Sequence, residues 1–296
     1  MANNKTVLSI QSHVVHGYVG NSCAVFPLQL HGHEVDTINS VQFSNHTAYK
    51  YFKGQVLGSQ ELDDLLTGLR SNRLLKYSYI LTGYVASASF LERLCSLVKE
   101  VREHNPSVKY VCDPVMGDNG AMYVPEELLP IYRDKLIPLA DIITPNQYEA
   151  ELLSGMKITS VDDAKMVLKS FHDKGVKHVV LTSLSLPQYD NELVLLASEK
   201  GGDVVGLQVP MMAARFTGTG DLFTSLYLAW SEHGVKVACE RTLSSMQAVL
   251  RRTLDNATKM ADGGELSAGH LELQLIQSRE EIEHPPSLES VGITRL

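Results

Sequence analysis

Short apolar, β-branched runs alternate with amphipathic runs from Thr6 to about Met260, and the apolar runs end in clusters of hydroxyls, amides or acids. This alternation constrains the fold more than any other feature. It predicts βα units and a mostly parallel sheet covered by helices on both faces. The strand-like runs are residues 6–10, 35–43, 79–84, 109–112, 141–146 with its polar end, and 178–183. A hairpin-type pair is expected over 192–198 and 204–209, turning at Gly201-Gly202. Helices are expected over about 21–30, 59–72, from Ser87, from Pro125, over 147–153 and 160–174, and over 220–232 and 237–260. Phe90, Leu91, Leu94, Leu97, Val98 and Val101 recur at three and four, which marks a core-facing stripe. Pro285-Pro286 is read as the end of regular structure.

Right-handed crossovers bring the C-terminal ends of parallel strands to one edge of the sheet. That edge would gather the polar clusters at 12, 47, 84, 113–118, 144–149, 182–183 and 218–221 into one ligand cleft. The segment 117–124 has little apolar content and reads as a mobile cover for it.

The sharpest local signal is Phe216-Thr217-Gly218-Thr219-Gly220-Asp221, followed at once by an apolar run. Two glycines bare backbone N–H groups at a helix N-terminus, where orphan donors and the helix dipole attract anions. Asp221 sets a carboxylate beside them, the pairing that phosphoryl transfer needs. A glycine-rich turn with an Asp cap is the other reading of the same six residues. Ser12 suits either a ligand contact or a turn cap, and Glu149 either a site acid or a dipole-favoured one. Gly17 and Gly20 do not form a dinucleotide fingerprint, and His46 has no paired ligand.

At 296 residues and 44% hydrophobic content the chain suits one large α/β domain or two small ones. Its net charge of −8 argues against nucleic acid as the main partner. The four cysteines (Cys23, Cys95, Cys112 and Cys239) have no metal spacing and read as buried free thiols. No apolar run reaches membrane-spanning length, and strand-like sequence begins by Thr6 without a signal-peptide core, so a cytoplasmic protein is expected.

At these motifs the chain resembles the ribokinase superfamily, and within it the pyridoxal kinase family. The resemblance rests on residues 9–14 with 17–21, on 39–47, and on Asp113-Pro114-Val115-Met116-Gly117-Asp118, Thr144-Pro145-Asn146-Gln147-Tyr148-Glu149 and 216–221. It implies a ribokinase-like three-layer sandwich over residues 1–296 as a single domain. It implies transfer of the ATP γ-phosphoryl group to the 5′-hydroxymethyl of pyridoxal, pyridoxine or pyridoxamine.

Carried over by resemblance, Asp221 is the base and the amides of Gly218, Thr219, Gly220 and Asp221 hold the phosphoryl group. Ser12 and Thr47 bind the pyridine ring, walled by Val19, Val41, Phe43, Tyr84 and Phe223, with Tyr123 retained in the cover. Asn146, Thr182, Ser183, Thr219 and Gly220 contact ATP, with Met212 on the adenine side. Asp118 and Glu149 steer Mg²⁺, or another divalent ion such as Zn²⁺. Asp113, Thr144 and Thr182 ligate K⁺ or Na⁺. A homodimer is also implied. The chain departs from many family members in having only Asn119-Gly120-Ala121 between Asp118 and Met122, a shorter cover. A sister kinase acting on hydroxymethylpyrimidine or a sugar, and a non-catalytic vitamer-binding protein, stay open as alternatives.

Overall fold

The computed structural model describes residues 5–296. The first half runs β1 (Thr6–Val14), α1 (Asn21–Leu30), β2 (Glu34–Phe43), β3 (Gly54–Val56), α2 (Ser59–Ser71), β4 (Tyr79–Thr82), α3 (Ala88–His104) and β5 (Lys109–Cys112). A short ribbon, β6 (Gly117–Asp118) and β7 (Ala121–Met122), leads to α4 (Leu128–Ile131), which continues as a wide and then a tight turn to Leu139. Next come β8 (Ile142–Ile143), α5 (Gln147–Ser154), α6 (Val161–Asp173), β9 (His178–Leu184), β10 (Glu192–Glu199) and β11 (Val204–Pro210). The chain closes with α7 (Thr219–Trp230), α8 (Val235–Ala261), α9 (Arg279–Glu283) and β12 (Thr294–Arg295).

Ten strands form one sheet in the order β12-β11-β10-β9-β8-β5-β4-β1-β2-β3. The run from β2 to β9 is parallel throughout, and antiparallel strands close both edges. The strands have two apolar faces and two hydrophobic cores. On one face Leu62, Leu66, Phe90, Leu94, Val98 and Phe171 pack against Leu8, Ile10 and Ile80. On the other, Leu28, Leu222, Leu226 and Val249 pack against Val7, Leu81 and Val180. Closing each such side chain off from water stabilises the fold by about 1.5–3 kcal/mol, less the entropy of ordering it.

Helix starts follow the local chemistry. The Ser87 and Ser160 hydroxyls accept from the amides of Phe90 and Asp163, and Asn146 with Glu149 forms a reciprocal capping box on α5.

Four features depart from expectation. Strand β3 has no apolar alternation and forms because residues 54–56 pair with β2. The expected loop at 117–124 contains a β-hairpin, because Asn119 (φ 50°) and Gly120 (φ 79°) both accept the left-handed conformation that a two-residue turn needs. The helix expected from Pro125 starts at Leu128. Regular structure resumes beyond Pro286, where Thr294 and Arg295 pair with Gln208 and Leu207 on β11.

Candidate active site

The C-terminal ends of β1, β4, β5, β8 and β9 share one edge of the sheet, as their parallel pairing requires. The β1–β2 register shifts between Gln11 and Ser12, where Ser40 on β2 is skipped, so β2 bulges opposite the end of β1 that faces this edge. Past β1 the chain enters the 15–20 loop, and Gly20 (φ 52°) lies so close to Ser12 that a Cβ would collide with its carbonyl and hydroxyl. Gly218, the residue before α7, has φ 87° and ψ 4°. A Cβ on it would collide with the Tyr18 carbonyl oxygen. Only glycine meets both demands there. The hinge is thereby seated against the loop after β1, at the strand ends and not in a remote turn.

Asp221 lies in the first turn of α7, half-buried. Loss of solvent pushes its carboxyl up to about 6, and the Gly20 amide partly offsets this. That value suits a base working near neutral pH. The amide-rich N-terminus of α7 has no side-chain cap, so its donors are left for a ligand.

Asp113 sits below the hinge, buried, with Oδ2 lacking any hydrogen-bond partner among the described residues. A Cβ on Gly220 would stand 3.3 Å from that oxygen. Burial first, then the charges of Glu149 and Asp221, hold its carboxyl well above the usual range. Thr144 Oγ1 and Thr224 Oγ1 are 2.8 Å apart beside it. An unsatisfied buried carboxylate oxygen with hydroxyls near it fits a cation of low charge.

Glu149 is buried and accepts from the amides of Met116 (2.9 Å), Gly117 (3.5 Å) and Asn146 (3.0 Å). Burial raises its carboxyl to about 7. Asn146 Nδ2 donates to the Gly117 carbonyl (2.8 Å), so α5 and the β6–β7 ribbon are tied together. Asp118, half-exposed on the ribbon, accepts from Asn119 N and Nδ2 and faces Arg215 Nη2 at 3.7 Å. Among the described residues no three His, Cys, Asp or Glu side chains stand close enough to hold a metal alone. Asp118 instead fits an ion that keeps its water and takes phosphate oxygens as further ligands.

Thr182 N donates to the Pro145 carbonyl (3.1 Å), and Thr182 and Ser183 are half-buried at the end of β9. Their hydroxyls are thereby carried to the same edge as Asn146. Val19 is largely buried in the loop after β1, while Tyr84 is half-buried with its carbonyl held by Ser40 Oγ (2.6 Å). Val41 and Phe223 are closed off from solvent, and Phe223 stacks on Tyr227. Phe43 leans on Phe52, Thr47 is exposed, and Met212 is half-buried in the loop after β11. Ser12, Gly20, Asp221, Gly220 and Asp113 thus form one contiguous set. Thr47, Phe43 and Met212 lie in flanking segments outside that set.

Two further side chains were not expected from sequence. Arg215 Nη2 donates to the Tyr123 hydroxyl (3.2 Å), so it links the hinge segment to the ribbon. Its position three residues ahead of Gly218 was the available signal. Glu272 reaches the site from the C-terminal tail, and no local pattern marks it. Arg215 and Thr217 also line a cavity of about 340 Å³ with His46, Ala48 and Leu271.

Residues 73–264 match the family model described as phosphomethylpyrimidine kinase. The chain is 50% identical to human pyridoxal kinase, over 94% of this chain and 95% of that one. It is 49% identical to pyridoxal kinase of Arabidopsis thaliana, over 94% and 91%. The solved Leishmania donovani pyridoxal kinase in complex with ADP and pyridoxamine superposes with a TM-score of 0.88 at 35% identity, covering 96% of this chain and 97% of that one.

Proposed function

The chain belongs to the pyridoxal kinase family, and from that premise we propose that it transfers the γ-phosphoryl group of ATP to the 5′-hydroxymethyl of pyridoxal, pyridoxine and pyridoxamine. The observation that carries this reading is Asp221. It is a carboxyl raised to about 6, set in the first turn of an uncapped helix whose glycine hinge bears on the strand-end loop.

Asp221 accepts the hydroxyl proton as the new P–O bond forms and the bond to ADP breaks. The amides from Gly218 to Asp221 meet charge on the phosphoryl oxygens, with Arg215 a positive charge close by. Ser12 and Thr47 bind the ring edge between Val19, Val41, Phe43, Tyr84, Tyr123 and Phe223. Asn146, Thr182, Ser183 and Met212 line the nucleotide side. Mg²⁺ would be held through water by Asp118 in the field of Glu149, and it would neutralise the phosphate charge. A monovalent ion, K⁺ or Na⁺, would be held by Asp113, Thr144 and Thr182; the unpartnered Asp113 Oδ2 supports this.

A homodimer is part of the same proposal. Exposed Tyr51, Phe52 and Val56 cluster in sequence at and just before β3, the end strand of the sheet, and favour a partner there. Four buried free thiols favour a reducing cytoplasm.

The phosphomethylpyrimidine kinase match favours one second reading, hydroxymethylpyrimidine as substrate. A radiolabelled ATP assay with pyridoxal, pyridoxine, pyridoxamine and hydroxymethylpyrimidine, with and without K⁺, separates the two. Label is expected in the three vitamers, with a higher rate in K⁺. Label in hydroxymethylpyrimidine alone would transfer the chain to the second reading.

A further inference from the structure

Glu272 comes from the tail between α8 and α9, more than 220 residues away from the segments it touches, and is 9% exposed. One oxygen of its carboxylate accepts from the Tyr18 amide at 3.1 Å. The other accepts from the Tyr49 hydroxyl at 2.8 Å and faces His46 Nε2 at 3.2 Å. Gly17 (φ 96°) packs so tightly on it that a Cβ would overlap the carboxylate. Burial works to raise the Glu272 carboxyl, but His46 and Tyr49 outweigh it and hold it below its ordinary value, so the group is an anion in the fold.

The two segments that this anion joins have no backbone bond to each other at these residues, and each precedes a ring-contacting residue of the reading above. Tyr18 precedes Val19, and His46 precedes Thr47. The Tyr18 backbone is engaged at both ends: its N–H by Glu272 and its carbonyl against Gly218. The anion therefore sets the spacing between the two ring walls, and through Tyr18 it sets that of the vitamer against the hinge. On the nucleotide side, Asn146, Thr182 and the ribbon make no contact with it among the described residues, and the hinge is reached only indirectly, through Tyr18.

We infer that Glu272 is a positioning residue for the vitamer half of the site, acting through Tyr18 and His46 and not through ATP. The inference rests on the pyridoxal kinase reading.

The test is steady-state kinetics of the full-length protein, with Glu272→Ala, Glu272→Gln and Tyr49→Phe, each checked for folding by circular dichroism and melting. The KM for pyridoxal should rise at least about tenfold in Glu272→Ala, where a charge-assisted pair of anchors is lost, and less in Glu272→Gln, which keeps one acceptor oxygen. Tyr49→Phe removes one donor at the half-buried edge and should raise it about threefold. The KM for ATP should stay within about twofold in all three, a split that loss of folded enzyme does not produce. Parallel rises in both KM values, or an unchanged pyridoxal KM in folded variants, would overturn the inference. Should Glu272→Ala not fold, Tyr49→Phe decides by the same criterion. Failure of the wild-type protein to phosphorylate any vitamer would instead overturn the reading on which the inference rests.

Discussion

Acids that border the two ends of the parallel strands meet opposite surroundings, with Glu272, brought in from the tail and paired with His46, standing apart. At the N-terminal end, Asp141 is met by Arg102 (2.5 Å), Lys177 (2.9 Å) and the Tyr110 amide (2.9 Å). Glu232, nearby, takes Lys5, the Tyr79 hydroxyl (2.6 Å) and Lys109 (3.6 Å), and the Lys5 and Tyr79 bonds hold it down to about 2. At the C-terminal end, Asp113, Glu149 and Asp221 have no Lys or Arg partner in contact among the described residues, and burial raises all three. One sheet thus has an end where charge is neutralised and an end where it is left reactive. Pairing serves stability; withheld pairing leaves groups with raised proton affinity, the electrostatic mark of candidate functional positions.

Asp221→Asn tests this contrast most severely. The kcat should fall on the order of a thousandfold or more, since base and orientation are lost together. Stability should move the other way. The folded-state carboxyl, at about 6, lies above its unfolded value of 3.8, so the fold binds the proton more tightly. That penalty on the charged form grows as pH rises through 6 and is complete above it. Urea unfolding at pH 8 should therefore find the variant about 1–2 kcal/mol more stable, after allowance for partial exposure. A less stable Asn variant would break the comparison.

Gly218→Ala strikes the same end through the backbone. Positive φ and collision with the Tyr18 carbonyl force the hinge to shift, with an expected loss of about a hundredfold in kcat. Stopped-flow or steady-state rates check it, and retained activity would show that the hinge amides do not set the rate.

Asp141→Ala addresses the opposite end. It leaves the buried Tyr110 amide without its acceptor and takes away the partner of the part-exposed Arg102, and should cost about 2 kcal/mol in denaturant unfolding, with kcat unchanged within about twofold. A large loss of kcat at unchanged stability would mean that the paired end is part of the machinery.

The smallest effect comes from pH alone. With Asp221 near 6, kcat/KM for the vitamer should fall about tenfold per unit below pH 6. Glu232 is depressed, so its contribution to stability is complete above about 4.5 and lost only as pH falls toward 2. Activity should therefore decline between pH 6 and 4.5 while far-UV circular dichroism is unchanged. Loss of both signals together would merge the two ends into one transition.

The legible parts of this chain were those coded within a few residues. The hydrophobic period, the Ser87 and Ser160 caps and the Gly201-Gly202 turn announce their elements locally. Asn119-Gly120 also carried a hairpin signal, but the strands beside it are two residues each, too short to show alternation. Strand β12 could not be read from Thr294 and Arg295, because only the exposed edge of β11 makes them a strand.

Sequence by itself determined the layered α/β architecture, the edge at which the polar clusters meet, and the glycine hinge with its acid. Those follow from side-chain period and from the rule that parallel strands present their ends together. Tertiary structure alone decided that burial pushes Asp221 up to about 6, that Asp113 Oδ2 has no partner among the described residues, and that Glu272 returns from the tail to hold Tyr18 beside His46. These are properties of burial and of contact between distant segments. Solvent is removed and donors are brought up only when the chain closes on itself.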